Sequence, residues 1–136
     1  SELAEPLLEN INRAGLGHRF SGFQYLTDGT EIVDEALRGD TRRFTKGFES
    51  SARLAIGQGA QLLLPGEGLP NEILWHLGIH DIDGVPIIDS DGLVVKMAEL
   101  MVELVRLNIL SRSRTGYWLG RPDPAYLRHL SEVFWQ

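Results

Sequence analysis

Short apolar segments alternate along this chain with longer segments whose apolar residues recur at helical spacing. The clearest short segment covers residues 61–64, which are bounded by glycine and proline and precede a helical stretch. Brief apolar runs of this kind are typical of strands buried in a parallel sheet, because both faces of such strands are covered. Residues 20–26, which are rich in aromatic residues, and residues 85–88 also predict strands. Strands that alternate with helices predict an α/β fold built on a parallel sheet.

Five segments show apolar residues at three- and four-residue steps, which predicts helices. They lie around residues 3–14, 32–37, 44–56, 70–77 and 94–105, and residues 126–134 form a short amphipathic segment. Asp40 and Asp91 are placed to cap the third and the fifth helix, and Pro70 suits the first turn of the fourth. The long fifth helix is expected to turn six residues towards the core: Val94, Val95, Ala98, Met101, Leu104 and Val105.

The charge of the chain and its lack of cysteine exclude several classes of function. Thirteen Lys and Arg against 19 Asp and Glu give a net charge of −6, which makes duplex nucleic acid a poor partner. The absence of cysteine excludes disulfide scaffolds, Cys-based zinc sites and thiol nucleophiles. No apolar run reaches the roughly 18 residues of a membrane span, and the first residues lack the pattern of a signal peptide. These features predict a cytoplasmic protein that binds neither nucleic acid nor membrane.

Two loops follow the predicted strands at the edge where parallel sheets bind ligands, residues 65–69 and 89–92. In the first loop, Gly66 and Gly68 permit unusual dihedral angles and close approach of the backbone. The next helix begins there, and its free N–H groups favour a carboxylate or a phosphate. An ordinary strand-to-helix turn is the alternative interpretation. The candidate substrate-binding residues of the two loops are Gly66, Gly68, Leu69, Asp89 and Ser90.

Several short motifs occur in a fixed order between residues 59 and 117. They are Gly59-Ala60, the apolar run 62–64, Gly66-Glu67-Gly68, Gly84-Val85-Pro86-Ile87-Ile88-Asp89 and Val95-Lys96-Met97-Ala98-Glu99. In order and spacing they resemble the later half of the aspartate/glutamate/hydantoin racemase superfamily. The tail 110–117 also resembles the end of hydantoin racemases.

This resemblance implies two flavodoxin-like domains, each a parallel sheet with helices on both faces, and an active site in the cleft between them. It implies two cysteines, one per domain, that remove and return the proton at the substrate Cα, without a cofactor or metal. Backbone amides beside the cysteines would hold the substrate carboxylate. The chain is then expected to be a single α/β unit over residues 1–136, the C-terminal part of a two-domain protein. Residues 1–90 would supply second-domain elements, and residues 91–136 a C-terminal helix and tail.

The chain departs from the family pattern at the catalytic position, where Glu67 stands in place of the second cysteine. The half that would carry the first cysteine is absent, so the two-thiol mechanism cannot operate. Three alternatives stay open for Glu67. It can act as a general base on carbon, it can fill the anion pocket itself and leave a non-catalytic fold, or it can contact a cationic or neutral polar ligand.

Metal binding is the weaker interpretation of two further patterns. His76 and His80 lie four residues apart, but Gly78 interrupts the helix between them. The segments 81–84 and 89–92 resemble the start of a calcium loop, yet both lack the glutamate that such a loop carries at its twelfth position. These patterns therefore predict no metal site, and the resemblance implies that no cofactor is needed.

The sequence thus favours a racemase-like isomerase that acts on a small amino-acid or hydantoin-type substrate. Glu67 would be the catalytic acid/base, and the proton next to a carbonyl would be removed and returned without a cofactor. The alternative is a non-catalytic binding or structural relative in which Glu67 has replaced the reactive residue. A thin sheet and an open cleft face would expose apolar surface, so a homo-oligomer is also expected.

Overall fold

The structure, a computed structural model, describes residues 4–111 and 123–134. Its elements are helices α1 (Ala4–Arg13), α2 (Gly29–Leu37), α3 (Arg42–Gly57) and α4 (Gly68–His76), strands β1 (Asp81–Ile82) and β2 (Val85–Pro86), and helices α5 (Ser90–Arg106) and α6 (Pro124–Phe134). A short 3-10 turn covers Gly17–Arg19. The chain divides into two compact units, one ending at Val95 and one beginning at Lys96. Most of the predicted tail motif, 110–117, lies outside the described residues.

The predicted α/β fold, a flavodoxin-like parallel sheet with helices on both faces, is wrong. The described ranges are mostly helical, and their one sheet is a two-stranded antiparallel pair. In that pair Asp81 lies opposite Pro86, and Ile82 opposite Val85. Residues 61–64 contribute a single parallel bridge, from Leu63 to Ile87, and residues 20–26 form no strand. The parallel pairing that the fold class requires is therefore reduced to one residue pair.

A tight turn at Asp83 and Gly84 is the physical reason for this difference. Both residues have positive φ, 52° and 80°, the conformation of a two-residue type I′ hairpin turn. Asp and Gly tolerate that region better than other residues, and the N–H of Gly84 donates to Asp81 Oδ1 at 3.1 Å. The turn folds residues 85–86 back onto 81–82. The segment expected to be a strand of a parallel sheet is consequently the second arm of a hairpin.

The five helices predicted from apolar spacing are confirmed, and three of them build the core. The amphipathic segment near the end of the chain also forms a helix, α6. Helix α2 packs against α3 and α4, and α3 also contacts β1. Phe44 of α3 and Leu74 of α4 are completely buried. The buried cluster is Ala36, Phe44, Ala52, Ala60, Leu63, Ile73, Leu74, Ile82 and Ile87. The core therefore forms between helices and the small hairpin.

The expectation that α5 turns its apolar residues towards a core is wrong. No residue of this helix is buried. Val94 is 68% exposed and Val95 57%, while Ala98, Met101 and Val105 are also exposed and Leu104 is half-buried. The helix forms as predicted, but none of its apolar side chains is buried. None of the helices in the described ranges has the length and apolar character that crossing a membrane requires.

The start of α3 is fixed by an ion pair between Asp40 and Arg42. The side chain of Arg42 donates to Asp40 through Nε at 2.9 Å and through Nη2 at 2.7 Å. The N–H of Arg42 adds a third bond to the same carboxylate at 3.3 Å. Thr41 occupies the position before the first helical residue. Asp40 was predicted to cap α3, but Thr41 occupies the cap position. The carboxylate of Asp40 therefore lies one residue before the cap.

These bonds predict that the side chain of Asp40 titrates at a lower pH than an ordinary aspartate. The hydrogen bonds from Arg42 lower the pKa of Asp40 from 3.8 to about 2. Because the folded pKa lies below the unfolded one, the pair stabilises the fold above roughly pH 4 and loses this effect as the pH falls towards 2. An NMR titration of the side-chain carboxyl is expected to show the low midpoint, and Arg42→Gln to raise it towards 3.8.

The matched control is Arg38→Gln, which removes an arginine that pairs with Asp34 instead. This variant is expected to leave the midpoint of Asp40 unchanged. A midpoint near 3.8 in the unaltered chain contradicts the assignment of the low pKa to the Arg42 hydrogen bonds.

Candidate functional site

The predicted loop 65–69 runs into the first turn of α4. Glu67 precedes the helix with an extended backbone, at φ −138° and ψ 147°. Its carbonyl accepts a hydrogen bond from the N–H of Asn71 at 3.3 Å. Pro70 lies within the first turn, where a missing N–H costs no helical hydrogen bond. Within the described part of the chain the N–H groups of Gly68 and Leu69 donate no hydrogen bond, so both are available to a ligand.

Glu67 is exposed in this loop. Among the residues that the structure describes, its carboxylate has no hydrogen bond and no ion pair. Gly66 and Leu69 are exposed beside it. Neither Gly66 nor Gly68 has a positive φ, so the unusual dihedral angles expected of these glycines do not occur. The loop is open to solvent on the side where Glu67 lies.

The buried side chain of Asn71 joins this loop to the start of α5. Asn71 is only 1% exposed. Its Nδ2 donates to Asp89 Oδ1 at 2.9 Å and to Asp91 Oδ2 at 3.2 Å. Its Oδ1 accepts a hydrogen bond from the N–H of Ser90 at 3.2 Å. Because both ends of the amide are satisfied, Asn71 holds the segment 89–91 in one position against the first turn of α4.

Two carboxylates consequently lie near the N-terminal end of α4. Hydrogen bonds from the Asn71 side chain and from the N–H of Gly92, the latter at 2.9 Å, lower the pKa of Asp89. Asp91 lies still closer to the loop, since a Cβ added to Gly68 would be 3.5 Å from Asp91 Oδ2. The site therefore combines free N–H groups with negative charge. A ligand that carries both an anionic oxygen and a cationic nitrogen suits this combination.

The structure brings together some of the predicted site residues and leaves others apart. Gly68 lies beside Asp91, and Asn71 links Asp91 with Asp89 and Ser90. Glu67 takes no part in this hydrogen-bonded cluster. Asn71 is not among the site residues predicted from the sequence. The one indication of its role in the sequence is that a polar residue stands between Pro70 and the apolar positions of the same helix.

The two patterns considered for metals are structural. Helix α4 ends at His76, so His80 does not share a helical face with it, and the His80 ring packs edge-on against Trp75 with centroids 4.4 Å apart. The segment 81–84 forms the hairpin turn. Across residues 4–111 and 123–134, no group of three or more His, Cys, Asp or Glu side chains could hold a metal ion.

An open groove of about 460 Å³ lies along α3, away from Glu67. Its polar groups are Thr27, Arg43, Lys46, Ser50 and Ser51, among others. Most of them already serve the fold. The hydroxyl of Ser51 donates to the carbonyl of Tyr25 at 3.1 Å, that of Ser50 donates to the carbonyl of Lys46 at 2.8 Å, and the guanidinium of Arg43 donates to Glu31 and Glu35. The loop before α4 is therefore the better candidate for a ligand site.

Comparison of the chain with known proteins finds no relative that shares the racemase-like motifs. No protein-family model, no curated protein and no solved structure matches this chain.

Proposed function

We propose that the chain carries one wall of a small-molecule site in a racemase-like isomerase that works without a cofactor. The observation that supports this proposal most strongly is the Asn71 hydrogen-bond cluster. It holds the Asp89–Ser90 turn against Gly68, so two loops that the racemase-like motifs mark as substrate loops share one edge of the unit. The substrate is a small molecule with an acidic C–H next to a carbonyl.

The charges around the loop favour an amino acid over a hydantoin as the substrate. The free N–H groups of Gly68 and Leu69 suit one oxygen of the substrate carboxylate. Asp91 lies close enough to this end of the helix to attract an α-ammonium group. A hydantoin ring offers carbonyl oxygens to the N–H groups but no cation to the carboxylates. The amino-acid zwitterion therefore satisfies both parts of the site.

In the proposed chemistry the Glu67 carboxylate removes the proton from the substrate Cα and returns it. The negative charge that develops on the carbonyl side is stabilised by the N–H groups of Gly68 and Leu69. Exchange of the Cα hydrogen with solvent requires only Glu67. Inversion of configuration requires, in addition, a second acid/base group on the opposite face of the substrate.

The exposure of Glu67 favours a second candidate, non-catalytic binding. A carboxylate that abstracts a proton from carbon works best when water is excluded from it, and Glu67 is exposed. In this alternative the acidic edge formed by Glu67, Asp89 and Asp91 binds an amine-bearing small molecule without chemical change. Both candidates place the ligand at the same edge, and they differ only in the reaction.

Hydrogen exchange in heavy water tests the proposed reaction. The unaltered chain is incubated in D₂O with a panel of amino acids and hydantoins, and deuterium at Cα is measured by NMR and mass spectrometry. We expect uptake into at least one amino acid, and Glu67→Gln should lower its rate by about 100-fold or more, the usual contribution of a general base.

Glu72→Gln is the matched control, because Glu72 is an exposed carboxylate on α4, the helix that follows Glu67, and has no assigned role. This variant should exchange at the unaltered rate. Binding of an amino acid without exchange, detected as NMR shifts in the loop, supports the non-catalytic alternative. If neither exchange nor binding occurs with any member of the panel, both functions are refuted.

A further inference from the structure

Helix α5 has far more apolar surface than one side of a surface helix requires. At 100° per residue, its charged residues after the first turn fall within about 80° of the helix circumference. They are Lys96, Glu99, Glu103 and Arg106. The other residues between 93 and 105 are all apolar and span roughly 220° of the circumference, whereas a helix that covers a core on one side needs about 100°. Such a helix requires a partner on its apolar side.

One apolar stripe of α5 has the spacing of a helix-pairing seam. Leu93, Met97, Leu100 and Leu104 follow one another at intervals of four, three and four residues, the a/d spacing of paired helices. The first three are 49%, 49% and 45% exposed, and Leu104 is half-buried. Large side chains that remain this exposed along a regular seam mark an interaction surface.

We propose that α5 pairs with α5 of a second copy of this chain in an antiparallel arrangement around a twofold axis. In this register Leu93 packs opposite Leu104 of the partner subunit, and Met97 opposite the partner's Leu100. The same contacts recur on the other side of the axis, because a twofold interface is self-complementary. The seam is therefore filled by large apolar residues from both copies.

The charges beside the seam select a second copy and its direction. Lys96 and Glu103 flank the same edge of the seam, seven residues apart. In the antiparallel pair, Lys96 lies beside Glu103 of the partner subunit, and the symmetry produces this ion pair twice. In a parallel pair, the same two residues would meet the partner's Met101 and the partner's Asn108, and no ion pair would form. Only the antiparallel arrangement of identical helices satisfies both charges.

The present partner of Lys96 does not compete strongly with this arrangement. Its Nζ lies 2.8 Å from Glu99 Oε2, and the two side chains are 77% and 61% exposed. Exposed pairs of this kind contribute little to stability, so Lys96 can turn towards the partner's Glu103. Glu99 lies on the charged side of the helix, away from the seam.

The mass of the full chain in solution is the first test. Light scattering coupled to size exclusion is expected to show a dimer of twice the 15.2 kDa chain mass. Glu103→Lys should raise the dissociation constant of the dimer about tenfold or more, since it places two cations opposite each other in both symmetry-related pairs. Lys96→Glu should do the same, and the double variant should restore the original affinity because each pair is re-formed with reversed sign.

Glu99→Lys is the matched control, because it makes the same charge change outside the seam and should leave the dimer intact. Recovery in the double variant also excludes misfolding as the cause of the single-variant effects, and circular dichroism should show unchanged helix content. A monomer of 15.2 kDa at tens of micromolar concentration overturns the proposal. A dimer that neither single charge reversal weakens overturns it equally.

The absence of cysteine in the chain allows a direct test of direction. An equimolar mixture of Leu93→Cys and Leu104→Cys chains should form a mixed disulfide under mild oxidation, because these two positions face each other in the antiparallel pair. Leu93→Cys alone should cross-link poorly. Efficient cross-linking of Leu93→Cys with itself, and poor cross-linking of the mixture, would indicate a parallel pair and refute the proposed arrangement.

Discussion

Replacing Phe44 by alanine is expected to destabilise the fold by about 3–5 kcal/mol, the usual cost of removing a buried aromatic ring. Phe44 is completely buried, and its ring stacks on that of Phe48 with centroids 6.2 Å apart. Three members of the buried cluster are alanines, Ala36, Ala52 and Ala60. Because alanine has no side-chain torsion with which to fill a cavity, we expect the core to collapse poorly and the loss to lie in the upper part of this range.

Urea denaturation followed by circular dichroism measures this loss. The midpoint should fall while the dependence of the unfolding free energy on urea stays the same, because the variant exposes a similar surface on unfolding. Leu54→Ala is the matched control, since Leu54 lies on the same helix but is 61% exposed. Its effect should stay within about 0.5 kcal/mol. Equal losses for the two variants would show that the core does not depend on Phe44.

The helices could be predicted from the sequence because their signals are local. Apolar residues at three- and four-residue steps identify α3 and α5 without reference to the rest of the chain. Their ends also follow from neighbouring residues, as at Arg42, where the carboxylate of Asp40 accepts the first N–H. The periodicity of α5 predicted both the helix and which of its residues form the apolar side. It could not say what covers that side, because this depends on residues far away in the chain or in another chain.

The prediction of a parallel sheet is wrong because short apolar runs do not reveal how many of their faces are covered. Residues 62–64 look like a strand that is buried on both faces. In the structure Leu63 is 8% exposed, whereas Leu62 is 50% and Leu64 65% exposed. Only one face is covered, so this run behaves as one bridging residue between two exposed neighbours.

A local signal for the true hairpin was present at Asp83 and Gly84. An Asp-Gly pair between apolar residues is among the strongest short-range indications of a two-residue turn. The same residues fit the start of a calcium loop, and the residues that follow fit a racemase-like motif, so the sequence supports competing interpretations of this segment. The backbone angles at the two residues favour the hairpin.

The candidate site was predicted in part, for a related reason. The loops 65–69 and 89–92 were identified from glycines, acids and helix starts that lie next to each other in the sequence. Asn71, which joins them, is separated from Asp89 by 18 residues and contacts it only in the folded chain. A polar residue in an otherwise apolar stretch of helix indicates a buried hydrogen-bond network only when its partners are known.

Replacing Asn71 by alanine should cost about 2–4 kcal/mol of folding stability, the second large effect that we expect. The variant loses three hydrogen bonds of a side chain that is 1% exposed, and it leaves the N–H of Ser90 without an acceptor. Two carboxylates, Asp89 and Asp91, lose the amide that lies between them. Asn71→Asp should be worse at neutral pH, because it adds a third carboxylate to the same cluster.

The pH dependence distinguishes this electrostatic role of Asn71 from simple packing. Because the amide lowers the pKa of Asp89, the stability that it confers is present above the unfolded pKa and is lost as the pH falls through the folded one. The difference in unfolding free energy between the unaltered chain and Asn71→Ala should therefore narrow below about pH 4. The extra cost of Asn71→Asp should disappear over the same interval as the carboxyls become neutral.

Urea titrations at several pH values measure both effects. The control is Glu72→Gln, a substitution at the exposed residue next to Asn71. A loss for Asn71→Ala that is the same at every pH would assign the residue to packing alone.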